Sequence, residues 1–361
     1  MRIFLLCVCF LIQANAYAQT TIKGLPTSLT VSSYIEAYYS NDFTGLTGGT
    51  KPDFLVSFSK NDLPSVNLAL IKGSYAGNHI RANLGIAGGT YMNANYKAEP
   101  GLLKHLYEGN VGVRLSKEKE IWLDVGVFPS HIGFESAVGK ENWVLTRAFG
   151  AENTPYFESG AKLSVTSDNK KWHASVLVLS GWQRIKPVTG NTLPSFGTQI
   201  VYKPSSNLTL NSSTFFGSDK SDESRQMRYF HNFYGIYKLN DLFSTILGFD
   251  IGLEQKAKNS SAMNLWFNPI GILRYTPSEK IGIAIKGEYY HDKHHVIISY
   301  GEPYAFKTYG FSVNFDYHFT NHLLWRIEGR TLQSDHPIFA RQDGTASKSN
   351  SFITSSIAIS F

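Results

Sequence analysis

Apolar and polar residues alternate with a period of two along much of this chain, the pattern of strands that turn one face to an apolar phase and the other to water. At its end, Ile353, Ile357, Ile359 and Phe361 share one parity, broken only by Ser355; Phe352, Thr354, Ser356, Ala358 and Ser360 hold the other. In 306–319, Tyr309, Phe311, Val313, Phe315, Tyr317 and Phe319 oppose Thr308, Gly310, Ser312, Asn314, Asp316 and His318. Segments 243–254, 281–289 and 322–330 repeat the scheme. Helical spacing would scatter the charges around a cylinder; period two collects them on one face. About ten residues per segment is the length of a tilted membrane-crossing strand, apolar side to lipid and polar side to a lumen.

Short polar breaks alternate with long ones. Lys117–Glu120, Ser167–Lys171, Pro204–Asn207, Asn240-Asp241, Pro277–Lys280 and Thr320-Asn321 have tight-turn composition. Longer stretches lie near 40–64, 92–104, 129–155, 183–194, 218–225, 255–263, 292–305 and 334–350. Short turns at one end and long loops at the other predict an all-β, transmembrane, antiparallel up-and-down barrel of about sixteen strands, with periplasmic turns and extracellular loops. The strands are predicted at 29–39, 65–76, 79–91, 105–115, 120–128, 156–166, 172–182, 195–203, 208–217, 226–238, 242–254, 264–276, 281–291, 306–319, 322–333 and 352–361. Phe54–Phe58 is assigned as an extension of the second strand, bulged near Leu63-Pro64, because an extra strand would make the count odd. Aromatics near strand ends are girdle candidates: Tyr38, Tyr39, Tyr156, Phe157, Trp172, Trp182, Tyr202, Phe215, Phe216, Tyr289, Tyr290, Phe319 and Trp325.

Residues 1–18 fit a cleaved signal peptide: Arg2, the apolar run Ile3–Ile12, and the small-x-small site Ala16-Tyr17-Ala18. That leaves one barrel domain at 19–361. Cys7 and Cys9 would leave with the signal, removing disulfides and thiolate metal sites from consideration. With 14% aromatics, 31 glycines and no long apolar run beyond the signal, the composition suits a barrel whose lumen face offsets its lipid face. The formal charge of +6 is scattered rather than clustered, which argues against nucleic-acid binding.

The polar parity carries Glu36, Arg81, Glu108, Arg114, Asp124, Glu158, Lys162, Asp250, Glu254, Lys286, Glu288, Asp316, Arg326, Glu328 and Arg330. A Lys or Arg facing lipid near the midplane costs about 2–4 kcal/mol, so these residues predict a wet interior and line a candidate pore. A salt-bridge network packing the barrel shut is the alternative, although wall side chains alone fill a lumen only near eight strands. Near-equal acids and bases on these faces predict mild anion preference at most. Segment 129–155, with His131, Phe134, Glu135, Lys140, Glu141, Trp143, Arg147 and Glu152, is a candidate constriction loop or an ordinary surface loop. His291, Asp292, His294 and His295 lack a recognisable metal motif, and an exposed polar loop is the simpler assignment. No G-x-S-x-G elbow or comparable element supports catalysis, so no catalytic, cofactor or metal residue is assigned.

Ala98–Leu103, Phe128–Ser136, Gly181–Arg184, Arg228–Gly235 and the opening strand Ser33–Tyr39 resemble the OmpL-like β-barrel porin family of Gram-negative bacteria. The Pro129-Ser130-His131-Ile132-Gly133-Phe134-Glu135 stretch is the most specific part. The resemblance covers the mature chain and implies an outer-membrane barrel acting as a porin; it implies no particular substrate. The expected function is passive diffusion of small hydrophilic solutes, with a solute-specific channel, a structural or adhesion barrel, and a barrel enzyme as alternatives. Expected partners are outer-membrane lipid, those solutes, and the barrel assembly machinery, for which Phe361 is the candidate signal. Oligomeric state is left open, and the chain is too short for a plugged transporter of twenty-two strands.

Overall fold

The computed structural model describes residues 28–44, 49–300 and 304–361, so the signal-peptide assignment at 1–18 lies outside the described residues. Sixteen strands form one closed antiparallel barrel. They are β1 (Leu29–Asp42), β2 (Ser65–Ala76), β3 (Ile80–Gly88), β4 (Leu106–Arg114), β5 (Glu120–Pro129), β6 (Phe157–Thr166), β7 (Trp172–Leu179) and β8 (Ser195–Ser205). β9 (Leu208–Gly217), β10 (Arg228–Lys238), β11 (Phe243–Gln255), β12 (Met263–Ser278), β13 (Ile281–Asp292), β14 (Phe306–His318), β15 (Leu323–Ser334) and β18 (Ser349–Ser360) follow. The two-residue strands β16 (Phe339–Ala340) and β17 (Ala346–Ser347) pair only with each other, in the last long loop. Each barrel strand pairs with its sequence neighbour, and β1 closes on β18 in a register running from Tyr34↔Ser360 to Asp42↔Phe352. Ser33 and Phe361 exchange two backbone hydrogen bonds of 3.0 and 3.1 Å, so pairing extends through the last residue. Closure leaves no unpaired sheet edge, the condition a sheet must meet inside hydrocarbon.

The outer face is apolar. Ile71, Leu84, Ile86, Val111, Leu247, Tyr309 and Phe311 are all more than half exposed, while the alternate positions of the same strands point inward. A soluble protein would bury these side chains; an apolar outer face of this extent is what a barrel turned toward hydrocarbon presents. Outward hydroxyls in β8–β10 satisfy one another or a histidine: Thr198 bonds Thr214 (2.6 Å) and Ser212 bonds His231 (2.8 Å). Outward aromatics form two rows. Trp172 stacks on Tyr202 (4.0 Å) and Phe243 on Tyr275 (4.9 Å) near the short turns; Phe216–Tyr229 and Tyr289–Tyr309 lie near the long loops.

Several girdle assignments are corrected. Tyr38, Phe157, Trp182, Phe215 and Tyr290 are buried inside the barrel, and Tyr156 packs edge-on against the buried Tyr91. Long loops fold into that end of the lumen and give inward aromatics an apolar partner. Phe54–Phe58 is likewise not an extension of β2. Two left-handed residues, Phe58 (φ 53°) and Asp62 (φ 55°), turn this segment back into the barrel, where Phe54, Leu55 and Phe58 are buried. Phe54 packs 4.9 Å from Phe306 and 6.1 Å from Phe149.

Candidate functional site

The lumen is shaped by segment 130–156, which leaves the long-loop end of β5 and returns to β6. His131 enters first. Its two ring nitrogens lie 2.8 Å from the Glu158 carboxylate and 2.8 Å from the Thr214 carbonyl, an arrangement that suits the doubly protonated ring. Burial alone would lower the His131 pKa; the Glu158 charge and both hydrogen bonds outweigh it, and the pKa is raised. The segment then descends far enough for Lys140 Nζ to reach Ser360 Oγ, 2.6 Å away at the short-turn end. Gly139 permits this approach: a Cβ there would lie 2.6 Å from the Glu36 carboxylate and 2.7 Å from the Tyr34 hydroxyl.

A non-helical segment at membrane height must find partners for its backbone groups. The wall of β13–β15 supplies them in both senses. Carboxylates and an amide take its N–H groups: Thr146 N to Glu328 (2.5 Å), Phe149 N to Glu288 (2.6 Å) and Leu145 N to Asn314 (3.1 Å). Cations take its carbonyls. Arg326 donates to Gly139 O (2.8 Å) and Asn142 O (2.9 Å), Arg330 to Arg147 O (2.8 Å), and Lys286 to Thr146 O (2.7 Å). The same side chains pair along the wall, Arg326 with Asp316 (2.7 Å) and Arg330 with Glu288 (2.6 Å). Arg147 ties the two limbs of the segment through the carbonyls of Ser136 (2.9 Å) and Leu145 (2.6 Å).

The second inserted segment is fastened to the first. Glu152, in the short helix α2 (Phe149–Glu152), accepts the N–H groups of Val56 (3.0 Å) and Ser57 (3.1 Å). Burial pushes the Glu152 carboxyl up to about 7, against the opposing pull of Arg147. Burial likewise brings Lys51 down to about 7, with Arg330 adding to the fall.

Every charged residue assigned to the polar parity points inward, but they do two different jobs. Glu36, Lys286, Glu288, Asp316, Arg326, Glu328 and Arg330 are buried, and most of them bond the inserted segment directly. Substitution of those that bond it would disturb the inserted segment before it altered an ion path. Glu254 pairs with Arg228 (2.7 Å), and Asp250 accepts from Asn232 (2.6 Å). Arg114 pairs with Glu120 near a short turn (2.9 Å). Arg81, Glu108, Asp124 and Lys162 border a cavity of about 280 Å³ along β3–β7, the part of the wall that the inserted segment leaves open. Glu158, on the same wall, is spent on His131.

Within the segment, Glu135 accepts from Ala148 N (2.8 Å), Phe134 packs on Tyr234 (5.5 Å), and Lys140 and Glu141 are exposed. His291 points outward and stacks on Phe267 (4.9 Å), whereas neighbouring Asp292 points inward and accepts the N–H groups of Val296, Ile297 and Ile298. Among the described residues no cluster of three potential metal ligands is assembled. Lys72, Arg228 and Lys51 are inner charges that pattern reading missed. Lys72, paired with Glu108 (2.5 Å), sits on a strand whose Leu68 and Leu70 also face inward, so apolar residues occupy both of its faces.

A closed antiparallel barrel of sixteen strands, apolar outside, charged inside and holding an inserted loop, is a porin-type outer-membrane barrel. The family model for the OmpL-like beta-barrel porin-2 proteins matches residues 28–361, and the chain belongs to that family. Three solved structures share the fold across 92% of this chain: an anion-selective porin from Comamonas acidovorans, the outer membrane channel DcaP of Acinetobacter baumannii, and OprB of Pseudomonas putida. Their TM-scores are 0.60, 0.58 and 0.58, their identities 8%, 9% and 11%, and 99%, 97% and 94% of their own chains are covered. No curated protein matches the sequence.

Proposed function

We propose that this protein is a passive diffusion channel for small hydrophilic solutes in the bacterial outer membrane, with a lumen narrowed by segment 130–156. The observation that carries the proposal is the pairing of a charged inner wall with an apolar outer face, in a barrel too wide for its wall side chains to fill. Residues 1–18 act as a cleaved export signal, and Phe361 is read by the barrel assembly machinery. Lipid, that machinery and the permeating solutes are its partners, and nothing in its proposed action requires catalysis. A closed structural or partner-binding barrel is the second reading. It is favoured by the buried cluster of Phe54, Phe149, Trp266, Tyr290 and Phe306, which crowds the long-loop end.

Liposome swelling separates the two. Vesicles carrying folded, heat-modifiable barrel should swell quickly in arabinose and much more slowly in raffinose. No swelling in either sugar overturns the diffusion reading in favour of the closed barrel. Equal rates overturn the narrowing.

A further inference from the structure

One cation along the open part of the lumen has no ion-pair partner of its own. Along β3–β7 each acid is committed to a particular cation: Asp124 to Arg81 through two hydrogen bonds of 2.6 and 2.5 Å, Glu108 to Lys72 at 2.5 Å, and Glu158 to His131 at 2.8 Å. Lys162, directly opposite Asp124 in the β5–β6 register, is left over. Among the described residues no carboxylate forms an ion pair with it, and its ammonium lies 4.7 Å from the Phe128 ring centroid. The cavity it borders, about 280 Å³, also presents Phe128, Pro129, Ser164 and His173. That is just below the 300–1,000 Å³ usual for ligand pockets and leaves room for one small molecule. Asp124, Glu158 and Glu108 act on Lys162 from beyond ion-pair distance, and a cation held beside an aromatic ring without a contacting carboxylate, partly shielded from water, attracts anions more strongly than one at an open surface.

We infer that this part of the wall is a subsite for small organic anions, with Lys162 meeting a carboxylate and Phe128 and Pro129 packing against the apolar body attached to it. The inference rests on the channel reading and names the solute class that channel favours. Ion pairing already cancels Arg81 and Lys72, which leaves Lys162 as the residue that sets the sign of the selectivity.

The test uses the full-length barrel in planar bilayers, with a KCl gradient and with sodium benzoate and its neutral analogue benzamide as probes. The parent should reverse on the anion side, Lys162→Glu should move the reversal potential toward cations, more at low salt, and Lys162→Arg should stay with the parent. Benzoate should reduce the KCl current saturably, about tenfold more weakly in Lys162→Gln, as expected for loss of one charge-assisted hydrogen bond; benzamide should not. Calorimetric titration of the detergent-purified barrel with benzoate gives a readout independent of conduction. A conducting barrel whose reversal potential and benzoate response ignore Lys162 overturns the subsite and leaves the channel standing. A silent barrel that binds benzoate through Lys162 overturns the channel and keeps the subsite.

Discussion

Replacing residues 136–148 with a short Gly-Ser linker is expected to raise single-channel conductance several-fold without unfolding the barrel. The ends of the excised piece already lie close, since the Glu135 carboxylate accepts the Ala148 N–H at 2.8 Å. Removal would free the wall of β13–β15 and expose Lys286, Glu288, Arg326, Glu328 and Arg330 to water. Their mutual pairs survive, including Arg330–Glu288 at 2.6 Å, and entering water takes over the hydrogen bonds that the loop backbone had supplied. The barrel ladder does not depend on the segment, because every wall strand pairs with its neighbours on both sides. Planar-bilayer recording of parent and variant checks this; equal conductance would mean that the segment does not obstruct the ion path.

Arg330→Met carries the second large effect, a loss of about 3–5 kcal/mol in unfolding free energy, as expected when one partner of a buried ion pair is removed. Arg330 bonds Glu288 (2.6 Å) and the Arg147 carbonyl (2.8 Å), and it lies 5.0 Å from the Phe149 ring centroid. Without it, Glu288 keeps the Phe149 N–H at 2.6 Å and a distant Lys286 at 3.9 Å, too little to offset its burial. Changing Glu288 to Met as well removes the orphaned charge, so the double variant should be more stable than the single one. Urea unfolding in lipid vesicles, followed by tryptophan fluorescence, measures both. A double variant that simply sums two large losses would show that the pair is not the unit of stability.

The wall was legible in the sequence and the lumen's contents were not, for one physical reason. Period two encodes which residues share a face, so β2 and β9 fall on their predicted bounds and the charged parity turns inward. It does not encode what that face meets. The long loops carry no periodicity, so the folding of Phe54–Phe58 into the barrel had no signal beyond a cluster of apolar residues beside Pro64. Once those loops are inside, an inward aromatic such as Phe215 or Tyr290 is as well placed as an outward one. The same gap explains the wall charges. Arg326 and Glu328 look alike as pore-lining groups or as loop anchors until the backbone of 139–149 is set against them. The distinctive composition of 129–155 singled this segment out, but only its contacts reveal its course along β13–β15.

Whether the native barrel conducts is decided by single-channel recording of the unmodified protein, with the linker variant as a control for insertion. The parent should show stable, discrete openings, smaller than those of the variant. A parent that stays silent under conditions in which the variant conducts would contradict this, and would mean that segment 130–156 plugs the barrel rather than narrowing it.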